Sequence, residues 1–252
     1  MELSLASILL LIAVGIASGI INVLAGGGSN LTLPVLMVMG MPAEIANATN
    51  RLGIFLQSVT GVCGFKSKGK LPTGDIGPIL IPTLTGGLLG AIAAAFAPGW
   101  ILKPLLLGAM LTMAMIILLR PSVVCPPEGT QAYTVSQRPS SWWWLGIAGF
   151  YGGFVQAGVG FILLGALAGS LRYDLIRANA LKLICSLAFT AVALGVFISQ
   201  EQVLWLPGLI LGAGAMIGAR IGVHFAISVK QRTLKWFLFI MTLCGCAAAL
   251  LF

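Results

Sequence analysis

The sequence predicts an all-α integral membrane protein with about eight main transmembrane helices and two short broken or re-entrant segments, arranged as two inverted repeats. Three observations support this fold class. The 252-residue chain is 59% hydrophobic and only 8% charged, whereas a soluble domain carries about 25% charged residues. Its apolar runs are continuous rather than alternating, which favours helices over a membrane β-barrel. The sequence also matches itself without a gap when it is shifted by 132 positions.

This internal match indicates two copies of one unit, because a single offset holds over roughly ninety residues. The shift superimposes Gly26 on Gly158, Gly28 on Gly160, Asn47 on Asn179, Gly86 on Gly218 and Lys103 on Lys235. We therefore expect a first transmembrane repeat over 1–120, a cytoplasmic linker over 121–141 and a second transmembrane repeat over 142–252. A duplicated hydrophobic unit is typical of transporters whose site lies where the copies meet.

Apolar stretches mark the membrane-spanning segments, since a helix needs about 20 apolar residues to cross a bilayer. The main spans are predicted at 4–24, 43–64, 76–97, 100–119, 143–157, 174–198, 203–227 and 234–252. Two shorter stretches, 31–40 and 161–171, are predicted to be half-helices or re-entrant pieces. The segment 121–141 is the only long polar stretch, and its prolines exclude a helix there.

Basic residues concentrate in short loops, which is typical of cytoplasmic loops. The Lys66–Lys70 loop is rich in positive charge, whereas the matching loop of the second copy at Glu201 is poor in it. The two loops are therefore expected on opposite sides of the membrane, which makes the repeats inverted. The same distribution explains the net charge of +8 without nucleic-acid binding.

Glycines also recur every fourth residue, at Gly86 and Gly90 and again at Gly214, Gly218 and Gly222. This spacing lets helix backbones approach closely in lipid. It suits either internal packing, which we favour because it occurs in both copies, or a homodimer.

Closely spaced glycines interrupt an apolar stretch in each copy. The first interruption contains Gly26, Gly27 and Gly28, and the second contains Gly158 and Gly160. Backbone groups exposed at such a break cannot be satisfied by lipid, so the break must face protein or a water-filled cavity. Free N–H groups at the start of a half-helix attract anions. Paired breaks therefore predict a substrate site; the alternative is a pair of packing kinks.

Polar side chains recur on one face of the helix that follows each break, at helical spacing. They are Asn47, Asn50, Arg51 and Ser58 in the first copy, and Asn179, Lys182, Ser186 and Thr190 in the second. A cation deep in the bilayer costs about 2.5–3.5 kcal/mol. No Asp or Glu lies deep in a span, so an anionic substrate could act as the counter-ion of Arg51 and Lys182. The alternative is that both cations lie shallow and extend to the interface.

Three further amides stand in apolar surroundings: Asn22 before the first break, Gln57 and Gln156. Each either lines a pathway or satisfies the broken backbone. The five cysteines form no CxxC motif, and there is one His. We therefore expect no metal site, cofactor or catalytic residue.

One motif resembles a known family. It reads Gly19-x-x-Asn22-x-x-Ala25-Gly26-Gly27-Gly28-Ser29-x-Leu31-Thr32-x-Pro34-x-Leu36, followed by Gly40-Met41-Pro42 and Ala46-x-Ala48-Thr49-Asn50. This resembles the first-half signature of the TauE/SafE sulfite-exporter family. The second copy carries a weaker echo from Gly149 to Gly160 and departs from the pattern at Val159 and Ala166. The resemblance implies a bacterial inner-membrane protein that exports or takes up small sulfur-containing or organic anions, such as sulfite, sulfoacetate or thiosulfate.

The leading hypothesis is a secondary transporter that moves a small anion by alternating access, with the bilayer and the anion as its partners. An anion channel would use the same cationic groups. A non-transporting membrane subunit is a weaker alternative, and a membrane-embedded enzyme has the least support.

Overall fold

In a computed structural model, described over residues 4–119, 126 and 129–228, all regular secondary structure of the described chain is helical. The helices are α1 (Leu5–Leu24), α2 (Ser29–Val38), α3 (Ala43–Ser67), α4 (Ile76–Ala95), α5 (Gly99–Leu119), α6 (Ser140–Phe154), α7 (Val159–Leu164, continued by a π-helix over Gly165–Ser170), α8 (Leu175–Ser199) and α9 (Trp205–Ser228). Within the described residues, four helices, α1, α4, α8 and α9, are long and apolar enough to cross a membrane. The span predicted at 234–252 lies outside the described residues.

The described helices follow the predicted segments closely, with one correction at the linker. The sequence predicts Ser140 and Ser141 in the helix-free linker, but they form the start of α6. Pro139 stands at the N-cap of this helix, where its fixed φ and missing N–H disrupt nothing. The short stretches correspond to α2 and to α7 with its π-helix, and both lie between longer helices.

Helix bounds and backbone turns recur at the 132-residue offset. Helices α3 and α8 each contain 25 residues. Left-handed residues at equivalent positions are Gly26, Gly40 and Gly69 in the first half and Gly158, Arg172 and Glu201 in the second, whereas left-handed Gln156 has no such counterpart. This conformation is unfavourable for a residue with a side chain. Arg172 and Glu201 therefore keep a backbone turn that the equivalent positions of the first half make with glycine.

Helices from the two halves pack against each other in two similar groups, α1 with α9 and α4 with α6. Gly214 and Gly218 of α9 press against the backbone of Ile12 and Ile16 in α1. The same contact occurs between α4 and α6, where Gly90 meets the backbone of Phe150. A Cβ at any of these glycines would overlap the facing helix. The glycine spacing therefore serves internal packing, as the sequence predicted.

The two groups meet at α3 and α8, which cross in opposite directions. The Arg51 guanidinium, near the start of α3, lies 5.4 Å from the ring centroid of Phe197, near the end of α8. Gly61, later in α3, faces Leu183, early in α8. These contacts make the two equivalent helices antiparallel.

The described part of the linker packs on the turn between the π-helix and α8. The Tyr133 amide donates to the Leu171 carbonyl at 2.8 Å, and the Arg177 guanidinium donates to the Thr130 carbonyl at 2.5 Å. The Tyr133 ring lies 4.7 Å from Arg138 and 6.0 Å from Arg172. Hydrogen bonding and charge from Arg172, and then from Arg138, lower the pKa of the Tyr133 phenol.

Candidate functional site

The two glycine breaks meet at the centre of the molecule. The Gly160 amide donates a hydrogen bond of 3.2 Å to the Gly26 carbonyl. A Cβ added to either glycine would clash with the Cα of the other. Gly26 also has a φ of 88°, which an L side chain rarely adopts. Glycine is thus required here for close approach of the two halves and, at Gly26, for the turn itself.

The first break leaves a run of buried backbone donors. Residues Ala25 to Asn30 are all buried. Among the described residues, no hydrogen-bond acceptor is assigned to the amides of Gly27, Gly28 and Ser29, although the next amides, Asn30 and Leu31, donate to Gly27 and Gly28. These three N–H groups stand at the N-terminal end of α2, the positive end of the helix dipole. In the second half, only the Gly158 amide of the break Gln156–Gly160 is similarly without an acceptor.

Arg51 is fully buried and caps the C-terminal end of α6. Its Nη2 donates to the Gly153 carbonyl at 2.7 Å and to the Phe154 carbonyl at 3.2 Å. Its Nη1 donates to the Gly152 carbonyl and to Gln156 Oε1, the latter at 2.6 Å. The guanidinium fork is therefore occupied by acceptors from the other half of the chain.

Lys182 makes the reciprocal contact and is only 1% exposed. Its Nζ donates to the Val23 carbonyl, at the end of α1, at 2.9 Å. It also donates to Asn179 Oδ1 at 2.8 Å. An ammonium carries three N–H donors, so two are used here and the third has no partner among the described residues.

Both cations thus lie on the C-terminal ends of helices that the glycine breaks terminate, where the helix dipole is negative. The alternative that their side chains extend to the interface is wrong, because both side chains are buried in the protein. The spacing of polar residues predicts the cations but not these carbonyl partners. A signal was available: a helix that ends inside a bilayer leaves carbonyls that need donors.

The remaining predicted polar residues tie the breaks to α3. Asn47 Nδ2 donates to the Phe154 carbonyl at 3.1 Å. Asn50 joins α3 to α2, because its amide donates to Ser29 Oγ at 3.1 Å and accepts from Thr32 Oγ1 at 2.6 Å. Gln156 has a left-handed φ of 67° and accepts from Arg51. Asn22 is buried, and its Cβ would lie 3.0 Å from a Cβ built on Gly28.

Several buried polar atoms of the described residues have no hydrogen-bond partner. On α2, α3 and α8 they are Gln57 Oε1 and Nε2, Ser58 Oγ, Thr190 Oγ1, Asn179 Nδ2, Asn30 Oδ1 and Arg51 Nε, and Gln202 Oε1 in the turn after α8 is a further one. A buried polar group without a partner costs about 1–3 kcal/mol, so such a set on α2, α3 and α8 is unusual for packing alone. Ser58 and Thr190 occupy equivalent positions at the 132-residue offset.

Charge balance distinguishes this region from an ion-pair network. Within the described residues the ion pair found is Asp174 with Arg177, at 2.5 Å, at the start of α8. Asp174 caps α8 and Glu44 lies in the first turn of α3. The buried centre of the described structure therefore holds two cations, with helix carbonyls and amide oxygens rather than carboxylates around them.

Comparisons with known proteins identify a family and several relatives. The model of the family described as sulfite exporter TauE/SafE matches residues 11–249. A probable membrane transporter protein, ORF9, from Sinorhizobium sp is 27% identical over 233 residues, covering 90% of this chain and 85% of the relative. A probable membrane transporter protein from Haemophilus influenzae is 26% identical and covers 93% and 90% of the two chains. The probable membrane transporter protein YfcA from Escherichia coli K12 is 26% identical, and the match covers 88% of this chain and 81% of the relative.

No solved structure gave a significant match to this sequence. The family model spans both glycine breaks and both buried cations, and the three relatives are each described as a probable membrane transporter protein. The chain belongs to the TauE/SafE sulfite exporter family of membrane transporters.

Proposed function

We propose that this chain is a secondary transporter that moves a small anion across the bacterial inner membrane by alternating access of two inverted repeats. The antiparallel crossing of α3 and α8, which are equivalent at the 132-residue offset, supports the inverted arrangement. The opposite charge of the loops after these two helices supports it as well. Rocking of one half against the other would expose the central breaks alternately to each side.

The observation that carries the proposal is a buried set of unpaired donors in a positively charged centre. The amides of Gly27, Gly28, Ser29 and Gly158, the Asn179 amide nitrogen and the third Lys182 N–H have no assigned acceptor among the described residues. Donors without acceptors suit a ligand that brings acceptor oxygens and negative charge.

The two cations are proposed to have different roles. The terminal nitrogens of Arg51 are fully engaged with α6 carbonyls and Gln156, so Arg51 holds the second break in shape and supplies positive potential. Lys182 keeps a free donor beside the free amide of Asn179, so this pair is the proposed direct ligand of the anion. Asn22, Gly26, Gly160, Asn47 and Asn50 shape the surrounding backbone.

Gln57 adds a site that can both donate and accept, because its whole amide is unpaired. The Gln57 amide and the Ser58 and Thr190 hydroxyls could together bind an oxyanion that carries polar substituents or a proton. The family description makes small sulfur oxyanions the first substrates to test, with sulfite, thiosulfate and sulfoacetate as the proposed set.

Transport by purified protein in proteoliposomes tests the proposal. We expect saturable uptake of at least one of these anions, and acceleration by unlabelled anion on the opposite side, which a channel would not give. Lys182→Met should abolish uptake while the protein remains folded by size-exclusion chromatography. Absence of both uptake and anion-dependent thermal stabilisation for all tested anions would contradict the proposal. Flux without exchange acceleration would favour the anion channel.

A further inference from the structure

A groove away from the central breaks runs between the later halves of α3 and α9. Its volume is about 610 Å³, and its polar lining includes Thr60, Cys63, Ser67, Lys68, Arg220 and His224. Gly64 and Val223 form the floor, where a Cβ on Gly64 would lie 3.1 Å from the Val223 side chain. The two helices therefore touch at the floor of the groove.

The charge of this groove is one-sided. Lys68 and Arg220 are exposed, and the described lining contains no Asp or Glu. Arg220 lies within the apolar span Trp205–Ile227 and forms no ion pair in the described part of the chain. An Arg in such a span costs about 2.5–3.5 kcal/mol at the bilayer centre, so its guanidinium requires an anionic partner or the interface.

The depth of the groove fits the headgroup layer. Lys68 caps the end of α3 in the basic loop that the sequence assigns to the cytoplasm. Because α9 runs parallel to α3 with Val223 level with Gly64, Arg220 lies about two turns deeper than Lys68. The groove thus extends from the interface towards the hydrocarbon.

We propose that this groove binds the headgroup phosphate of an anionic phospholipid. Basic pockets between helices on the cytoplasmic side are suited to such headgroups. A lipid fits better than a free anion because exposed apolar side chains, including Ile217 and Ile221 on the same side of α9, adjoin the basic residues. Those side chains provide a surface for acyl chains.

Cys63 provides a reporter inside the groove. A variant that keeps Cys63 and carries Ala at the other four cysteines is placed in nanodiscs of phosphatidylcholine, with or without phosphatidylglycerol or cardiolipin. We expect anionic lipid to slow maleimide modification of Cys63, whereas inorganic phosphate added to neutral nanodiscs leaves the rate unchanged. Equal rates in both lipids would overturn the proposal, as would equal protection by inorganic phosphate.

Native mass spectrometry of retained lipid tests whether the charges of Arg220 and Lys68 bind the anionic lipid. Arg220→Gln and Lys68→Gln should each lower anionic-lipid affinity by about fivefold, the effect of one basic group near the surface. Lys66→Gln is the matched control, since Lys66 is exposed in the last turn of α3, two residues from Lys68, but does not line the groove. A loss for Lys66→Gln as large as that for Arg220→Gln would mean diffuse attraction and would overturn the site.

Discussion

Gly26 and Gly160 touch through their backbones, with the Gly160 amide 3.2 Å from the Gly26 carbonyl oxygen. They are not equivalent positions in the two halves, since Gly26 corresponds to Gly158 and Gly28 to Gly160. The contact therefore joins the first residue of one break to the last residue of the other. It brings the ends of α1 and α6 together and places the two buried cations around one centre.

The first prediction concerns this contact. Gly160→Ala should destabilise the protein by about 2 kcal/mol or more, because its Cβ would overlap the Gly26 backbone, which cannot move aside as a flexible side chain would. Thermal unfolding in detergent measures the effect. Gly195→Ala is the control: its Cβ meets nothing within 4 Å, so it should leave stability unchanged or slightly raised. Equal stability of the two variants would contradict the contact.

The second prediction separates charge from geometry at Arg51. Arg51→Lys keeps the positive charge but cannot reproduce the guanidinium fork, so several α6 carbonyls lose their donor. We expect the free energy of unfolding to fall by about 3 kcal/mol, which lowers the melting temperature by roughly 10 °C. Arg138 lies on the exposed part of the linker, so Arg138→Lys should change the melting temperature by far less. An unchanged melting temperature for Arg51→Lys would show that the fork does not hold α6.

The third prediction places a carboxylate beside Lys182. Asn179→Asp preserves the size of the side chain and its acceptor for Lys182 Nζ, but supplies the missing negative charge. We expect the folded protein to lose anion-dependent thermal stabilisation, which reaches about 2.7 kcal/mol for a normal site at a hundredfold excess of ligand over Kd.

Gln137→Glu adds the same charge in the exposed linker and should keep that stabilisation. Full retention of anion binding by Asn179→Asp would exclude Lys182 and Asn179 as the ligand pair.

The fourth prediction tests the inverted orientation. Ser67 and Ser199 are equivalent positions, are both exposed, and each donates to the carbonyl three residues before it. Ser67→Cys and Ser199→Cys, each in a background without other reactive cysteines, should react with a membrane-impermeant maleimide from opposite sides of the membrane. Labelling of intact cells and of inverted vesicles measures this. Reaction of both from one side would rule out inverted repeats.

The fifth prediction concerns pH. Because Arg172 and Arg138 favour the phenolate, the pKa of Tyr133 lies below its ordinary value of 10.0. The resulting stabilisation of the linker is complete above the unfolded pKa and is lost as pH falls through the lower, folded pKa. An ultraviolet difference titration against Tyr133→Phe should show this early ionisation. Arg172→Gln should move it to higher pH; an unaltered titration would contradict the contact.

Much of the architecture could be predicted because membrane helices leave strong local signals. Continuous apolar runs located the described helices, and Gly26 to Gly28 and Gly158 to Gly160 located both breaks. The eight-residue polar set on α3 and α8 was also found by spacing alone. The predicted start of α6 lies a few residues too late, because Ser140 and Ser141 carry no apolar signal that distinguishes a helix start from a polar linker.

The sequence by itself determined the all-α membrane class, the 132-residue match and the residue types at the centre, since each depends on local composition and periodicity. Only the tertiary structure decided what the two cations contact. Lys182 reaches Val23, 159 residues away, and Arg51 reaches Gly153, 102 residues away. Their acceptors are backbone carbonyls, which every residue carries, so the breaks could indicate that carbonyls need donors but no residue type could indicate which helix end each cation reaches.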